Sequence, residues 1–240
     1  FLDKGGKKIS KSLGNVITAQ KWLEFGNSKS ILLLLYKRIT GARELGFDDI
    51  PGLMNEYNEL EDTYFGRIKV DNQAKLTKLK GLYEYVNLLS PPKQSSTHVN
   101  YRLLIELTKI FKENRNERVM KKLIDYGVIK EEGNQEIQKL IEIAGNYSDE
   151  FDEQEKIEVE LDATARKAIS LLITELEKEE DPEDIQNTIY QIAKGNDVQP
   201  KDFFKILYQI ILGTSRGPKI GPFITDIGRK QVAKTLAEYV

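Results

Sequence analysis

Thr18-Ala19-Gln20-Lys21-Trp22-Leu23-Glu24-Phe25-Gly26, followed by Asn27-Ser28-Lys29-Ser30-Ile31-Leu32-Leu33-Leu34-Leu35-Tyr36, decides the fold class. Thr18 reads as an N-cap, because a side-chain oxygen there satisfies an early helical amide. A short helix then carries Trp22 and Leu23, and Gly26 stops it. Asn27 or Ser28 caps a second helix, Ser30 to about Thr40. Its block Ile31 to Leu35 makes it apolar nearly all round, which predicts a core helix, while Lys37, Arg38 and then Arg43 make its far end basic.

The same punctuation recurs outward from this stretch. Asp48-Asp49 precede Pro51 and open a helix over about 51–65, with Leu53, Tyr57, Leu60 and Tyr64 on one face. Residues 74–89 place Leu76, Leu79, Tyr83 and Val86 at helical spacing. Ser90-Pro91-Pro92-Lys93-Gln94-Ser95-Ser96 reads as a linker. Asn100 starts a helix carrying Leu103, Leu104, Leu107 and Ile110. Asn114 caps another, with Val119, Met120, Leu123 and Ile124, which Gly127 ends. Helices at about 134–146 and 163–178 flank the acidic stretch Ser148 to Asp162, which reads as a mobile loop. Asp181-Pro182 and Gln199-Pro200 open helices ending at Gly195 and Gly213. A short helix starts from Pro222 and a last one from about Gly228. Strands do not alternate with helices, so a parallel sheet is not expected. The expected fold is all-α, a helical bundle or cage with a short β-hairpin at the N-terminus. It divides into residues 1–70, 71–162 and 163–240.

Composition agrees with a globular helical protein: 40% apolar, 31% charged and no cysteine among 240 residues. No apolar run is long enough to cross a bilayer and no signal peptide pattern appears, so the expected location is the cytoplasm. The net charge of -2 conceals segregation. Lys and Arg outnumber Asp and Glu nine to three over residues 1–46, and eight to four over both 100–130 and 185–240. Acids outnumber bases nineteen to five over 131–184. Polyanion binding follows local potential rather than the total, so three basic segments suit RNA contact, and equally suit solvated helix faces.

Close to the chain start stands Gly5-Gly6-Lys7-Lys8-Ile9-Ser10-Lys11-Ser12-Leu13-Gly14-Asn15-Val16-Ile17. Lysines and hydroxyls on a glycine-flanked loop suit polyphosphate, since glycine admits close approach and the side chains supply charge and donors. The string resembles the KMSKS signature of class I aminoacyl-tRNA synthetases, with Ile9 in the Met position. Continuing through Trp22-Leu23-Glu24-Phe25-Gly26, Asp49-Ile50-Pro51, Asn55-Glu56-Tyr57, Glu59-Leu60-Glu61 and Tyr64-Phe65-Gly66, it resembles class I lysyl-tRNA synthetases of the archaeal type. Gly213, Arg216-Gly217-Pro218-Lys219-Ile220-Gly221-Pro222-Phe223-Ile224 and Ile227-Gly228 fit that family's end, with a fainter likeness to glutamyl-tRNA synthetases.

The resemblance implies a signature loop and stem-contact region followed by a helical anticodon-binding domain, with tRNA(Lys) as partner. It also implies ATP and Mg in the parent enzyme, with neither expected on this chain. Lys8, Ser10, Lys11 and Ser12 become the catalytic candidates, Lys8 and Lys11 meeting the ATP phosphates. The family's second ATP signature holds two histidines, and this chain has one, His98. The expectation is a C-terminal part of the enzyme, with the catalytic domain in cis on the missing side, binding tRNA but inactive alone. A free-standing helical RNA- or protein-interaction module is the alternative.

Two further groups are tRNA-binding candidates. Arg216, Lys219 and Phe223 surround a glycine-rich turn before a helix start, where free amides attract anions; a packed turn with Phe223 in the core is the other reading. Arg115, Arg118 and Lys122 form one helical stripe that either tracks phosphates or faces solvent. His98 is expected to lack ligand partners, so no metal site is expected. Trp22 is expected to pack against the helix of Ile31 to Leu35.

Overall fold

The computed structural model describes residues 1–10, 16–42, 44–130, 135–151, 158–178 and 181–240. Its described residues form twelve α-helices: α1 Ala19–Phe25, α2 Ser28–Lys37, α3 Asp49–Tyr64, α4 Gln73–Val86, α5 Tyr101–Ile110, α6 Arg115–Asp125, α7 Gln135–Glu150, α8 Ala163–Leu176, α9 Pro182–Gly195, α10 Pro200–Leu212, α11 Ile220–Ile227 and α12 Arg229–Ala237. They fall into two compact units, one of residues 1–101 with 135–154, the other of residues 102–134 with 155–240. The expected three-part division follows the chain, whereas each unit gathers two separate stretches of it.

The first unit is organised by the caps read from the sequence. Thr18 Oγ1 accepts from the Lys21 amide at 3.1 Å, and Asn27 Oδ1 accepts from the Ser30 amide at 2.9 Å. Trp22 is fully buried and donates from Nε1 to Ser30 Oγ at 2.9 Å, so the first two helices meet at that bond. Glycine is required at position 26, where an added Cβ would stand 2.9 Å from Ile50 Cγ2. Helix α2 is not the wholly buried element expected. Leu33 is buried but Leu35 is 40% exposed, because α3 and α4 pack on one side of the helix only.

The acidic stretch from Ser148 is not all loop: α7 runs on to Glu150, since Ile137, Ile141, Ala144 and Tyr147 keep the helical period on a buried face. Tyr147 and Phe151 then join Phe25 and Phe47 in an aromatic cluster, Phe151 lying 5.0 Å from Phe25 between ring centres. Helix α4 ends at Val86 rather than near 89. Asn87 leaves the helix because Nδ2 donates to the Tyr83 carbonyl at 2.8 Å while Oδ1 accepts from Tyr57 at 3.2 Å. Leu88 and Leu89 follow in left-handed conformation, 65% and 67% exposed.

In the second unit α8 to α12 close over an apolar core that includes Ile169, Leu172, Ile189, Phe203, Leu207 and Ile224. Fully burying a side chain of this size contributes about 1.5–3 kcal/mol. Asp181 Oδ1 accepts from the Glu183 amide at 2.7 Å, with Pro182 in the first turn of α9. Gly213, left-handed at φ 69°, closes α10. Val159 and Leu161, at the end of the acidic stretch, also pack against this core.

Candidate functional site

In the first unit the approach to the lysine loop is a tight turn built by Asp3. Its carboxylate accepts from the amides of Gly5 at 3.0 Å and Lys7 at 2.9 Å, and its carbonyl accepts from Gly6 at 2.9 Å. Gly6 is left-handed at φ 73°, a conformation glycine adopts without a Cβ penalty. Leu2 forms an antiparallel bridge with Lys8 and a parallel one with Glu44. Around that bridge the Asp3 amide donates to the Lys7 carbonyl at 2.7 Å and the Ile9 amide to the Phe1 carbonyl at 3.1 Å, so among the described residues the expected hairpin is reduced to one antiparallel bridge with its flanking bonds. Lys8 is exposed and Ser10 half-buried, while Lys11 and Ser12 lie outside the described residues. Lys4 is tied down, its Nζ 2.8 Å from Asp49 and 3.4 Å from Asp48. Further along the chain, the Thr18 cap and the Trp22 bond to Ser30 fix the start of α1. Among the described residues, Lys7 and Lys8 are exposed beside the turn that Asp3 builds, and exposed ammonium groups suit a polyphosphate.

The same unit contains a buried charge. Glu61, 2% exposed, accepts from Tyr83 at 2.8 Å, from the Ser96 amide and hydroxyl at 2.7 Å each, and from Ser95 at 3.1 Å. His98 Nε2 stands 2.9 Å from it, and Nδ1 lies 3.3 Å from Asp62 without hydrogen-bond alignment. Burial alone pushes the Glu61 carboxyl up, but the bonds from His98, Ser96 and Tyr83 outweigh it and hold the group well below the usual carboxylate range. Burial and the bond to Glu61 push the Tyr83 phenol up. His98 is therefore not the partnerless linker residue expected: it fastens residues 95–98 to α3. The available signal was a glutamate four residues after Tyr57 on the apolar face of α3. Among the described residues no group of three His, Cys, Asp or Glu is placed to hold a metal.

In the second unit the glycine-rich turn is packed. Thr214 donates to the Arg216 carbonyl at 2.7 Å, and the Tyr208 hydroxyl donates to the Pro218 carbonyl. An added Cβ at Gly217 would stand 2.5 Å from the Tyr208 ring, so glycine is needed there. Burial pushes the Tyr208 phenol up to about 12. Arg216 is exposed, and Lys219, 57% exposed, lies 3.9 Å from Glu183. Of the two readings of this helix start, the geometry is that of the packed turn. Helix α11 begins at Ile220 rather than Pro222, and the Gly221 amide already donates to Gln186 at 3.1 Å. Phe223 is fully buried with its ring edge-on to Tyr126, so it offers no face to a base.

The α6 stripe is also partly engaged. Lys122 Nζ pairs with Asp226 at 2.8 Å, and the Tyr126 hydroxyl donates to the same carboxylate. Arg118 lies over the Phe111 ring at 4.4 Å. Arg115 is half-buried and makes interactions of its own. Neither a free phosphate track nor a plain solvated face describes this stripe; two of its three cations hold the fold.

Comparison with known proteins divides the chain along its sequence. The family described as tRNA synthetases class I (K) matches residues 1–89, and the anticodon binding domain matches residues 103–240. A class I tRNA synthetase region carrying an anticodon-binding domain is the class these features define. Lysine–tRNA ligase of Cenarchaeum symbiosum is 54% identical over 97% of this chain and 44% of its own length. Lysine–tRNA ligase of Rickettsia akari (strain Hartford) is 30% identical over 99% of this chain and 45% of its own length. The chain belongs to the class I lysyl-tRNA synthetase family, and it spans about 44% of the length of its relative from Cenarchaeum. The glutamyl reading and the free-standing module are not favoured by these relatives. No described helix is long and apolar enough to cross a membrane.

Proposed function

We propose that this chain is the signature-loop and tRNA-binding region of a lysine–tRNA ligase, acting on tRNA(Lys) in the cytoplasm. The observation that carries the reading is the combination, in one chain, of the Lys7-to-Ile17 string inside the class I (K) match with an anticodon-binding match over residues 103–240. The parent enzyme joins lysine to its tRNA through lysyl-adenylate. Negative charge builds on departing pyrophosphate in that step, and Lys8 and Lys11 stabilise it, with Ser10 and Ser12 orienting the loop or donating to phosphate. Lysines and hydroxyls fit ATP phosphates and do not fit a metal, so Mg belongs with the nucleotide and no protein ligand is assigned to it. With a single histidine the chain has no two-histidine ATP signature, and it binds tRNA without aminoacylating it. Arg216 and Lys219, both exposed, are the tail cations available to RNA phosphate.

Binding of this chain to lysine tRNA, measured against the same tRNA with a substituted anticodon, tests the reading. Tighter binding to the natural anticodon is expected, and equal affinity argues against anticodon recognition. In the complete enzyme, Lys11→Ala is expected to slow lysyl-adenylate formation by orders of magnitude while tRNA binding stays near wild type. Pyrophosphate exchange at the wild-type rate would remove Lys11 from the chemistry.

A further inference from the structure

Helix α9 presents two chemically distinct faces. Ile185, Ile189 and Ala193 are buried in the core of the second unit, while Asn187, Tyr190, Gln191 and Lys194 are exposed. Those four stand at i, i+3, i+4 and i+7, so they line one stripe of the helix. Tyr190 is 41% exposed, and it is the sole aromatic residue of the exposed class among the described residues of this unit. Lys194 Nζ lies 4.6 Å from the centre of its ring. No Asp or Glu occurs from Ile185 to Asn196, although the first turn of α9 holds Glu183 and Asp184.

A ring, two primary amides and an ammonium without an intervening carboxylate supply what an unpaired nucleotide needs. The ring stacks on a base, an amide both donates to and accepts from a base edge, and the ammonium meets phosphate. A base-paired stem offers phosphate but no free base face, so the ring selects for single strand. We propose that the outward stripe of α9 binds an unpaired base of the tRNA anticodon loop, an inference that rests on the tRNA-binding role proposed above. Tyr190 stacks on the base, Asn187 and Gln191 contact its edge, and Lys194 moves from the ring to the neighbouring phosphate. The charge arrangement favours RNA over an apolar protein partner, since Tyr190 stands among polar groups and not within an apolar patch.

The test uses the whole 240-residue chain. One probe is an anticodon stem-loop of lysine tRNA with 2-aminopurine in its loop; the other is the same stem closed by a non-nucleotide linker. Wild-type chain should bind the stem-loop and quench the fluorophore. Tyr190→Ala should weaken stem-loop binding by about 5- to 150-fold, the range a single base–aromatic stack spans. Tyr190→Phe should keep the binding and the quenching, because the ring remains. Tyr190→Leu, which keeps apolar bulk for the helix, should lose both. The linker-closed stem should bind all four proteins alike, and Lys194→Ala should lower the salt slope for the stem-loop by about one. Binding and quenching by Tyr190→Leu equal to wild type would overturn the proposal. If wild type binds the stem-loop and Tyr190→Ala binds it equally, only the α9 platform falls. If wild type binds neither probe, the tRNA-binding role falls with it.

Discussion

In the first unit α3 carries a glutamate onto its buried face and surrounds it with Tyr57, Tyr83, Ser95, Ser96 and His98. In the second unit α8 to α12 meet over hydrocarbon and aromatic rings, and the polar tie from Lys122 of α6 to Asp226 of α11 stands at partly exposed positions. The difference concerns what each unit tolerates. A buried carboxylate is stabilised only while it is ionised and every partner is present, so its loss leaves donors unsatisfied in low dielectric. A core of hydrocarbon and phenol rings has no group that ionises in the acid range and fails by steric mismatch instead.

The two units should differ most in their response to loss of Glu61. Glu61→Ala is expected to lower the stability of the first unit by about 3–5 kcal/mol, the range for removing one member of a buried charge network. Residue-resolved hydrogen exchange should show that loss in α3 and α4, with α8 to α10 unchanged. Equal loss in both units would show that the hub supports the whole chain.

Acid sharpens the same contrast. The folded pKa of Glu61 lies below its unfolded value, so its contribution is complete above about pH 4.3 and disappears as pH falls toward the folded value. Exchange protection in α3 should therefore decline below about pH 4 before that of α9, and Glu61→Gln should flatten the decline. An identical acid profile in the two units would remove Glu61 as the cause.

A smaller effect is expected from Gly221→Ala. An added Cβ would stand 1.9 Å from the Pro182 carbonyl oxygen, so the starts of α9 and α11 must separate. The expected cost is about 1–3 kcal/mol, read as a lower melting temperature of the second unit with the first unchanged. An unaltered melting temperature would show that this contact relaxes freely.

Much of the helix layout was legible because its signals are local. The Thr18, Asn27 and Asp181 caps act within a turn, as do the breaks at Gly26 and Gly213. The early end of α4 was not legible, because Asn87 is drawn out by Tyr57, thirty positions away in sequence. The composition of the lysine loop fits a solvated basic surface as well as a polyphosphate, and its resemblance to the KMSKS signature is what favours the second reading. The tail turn could not be resolved between anion site and packed corner, because the amide in question is taken by Gln186, thirty-five positions earlier.

By itself the sequence determined that this chain is helical, where most of its helices begin and end, and which synthetase family it resembles; these follow from caps, periodicity and a short motif. Tertiary structure alone decided that Phe223 is core, that Lys122 belongs to Asp226, that His98 and Ser96 close around Glu61, and that Tyr190 faces outward. Each is a contact or an exposure fixed by residues far apart in the chain. Burial and charge pairing are properties of the assembled fold, and local propensity carries no record of them.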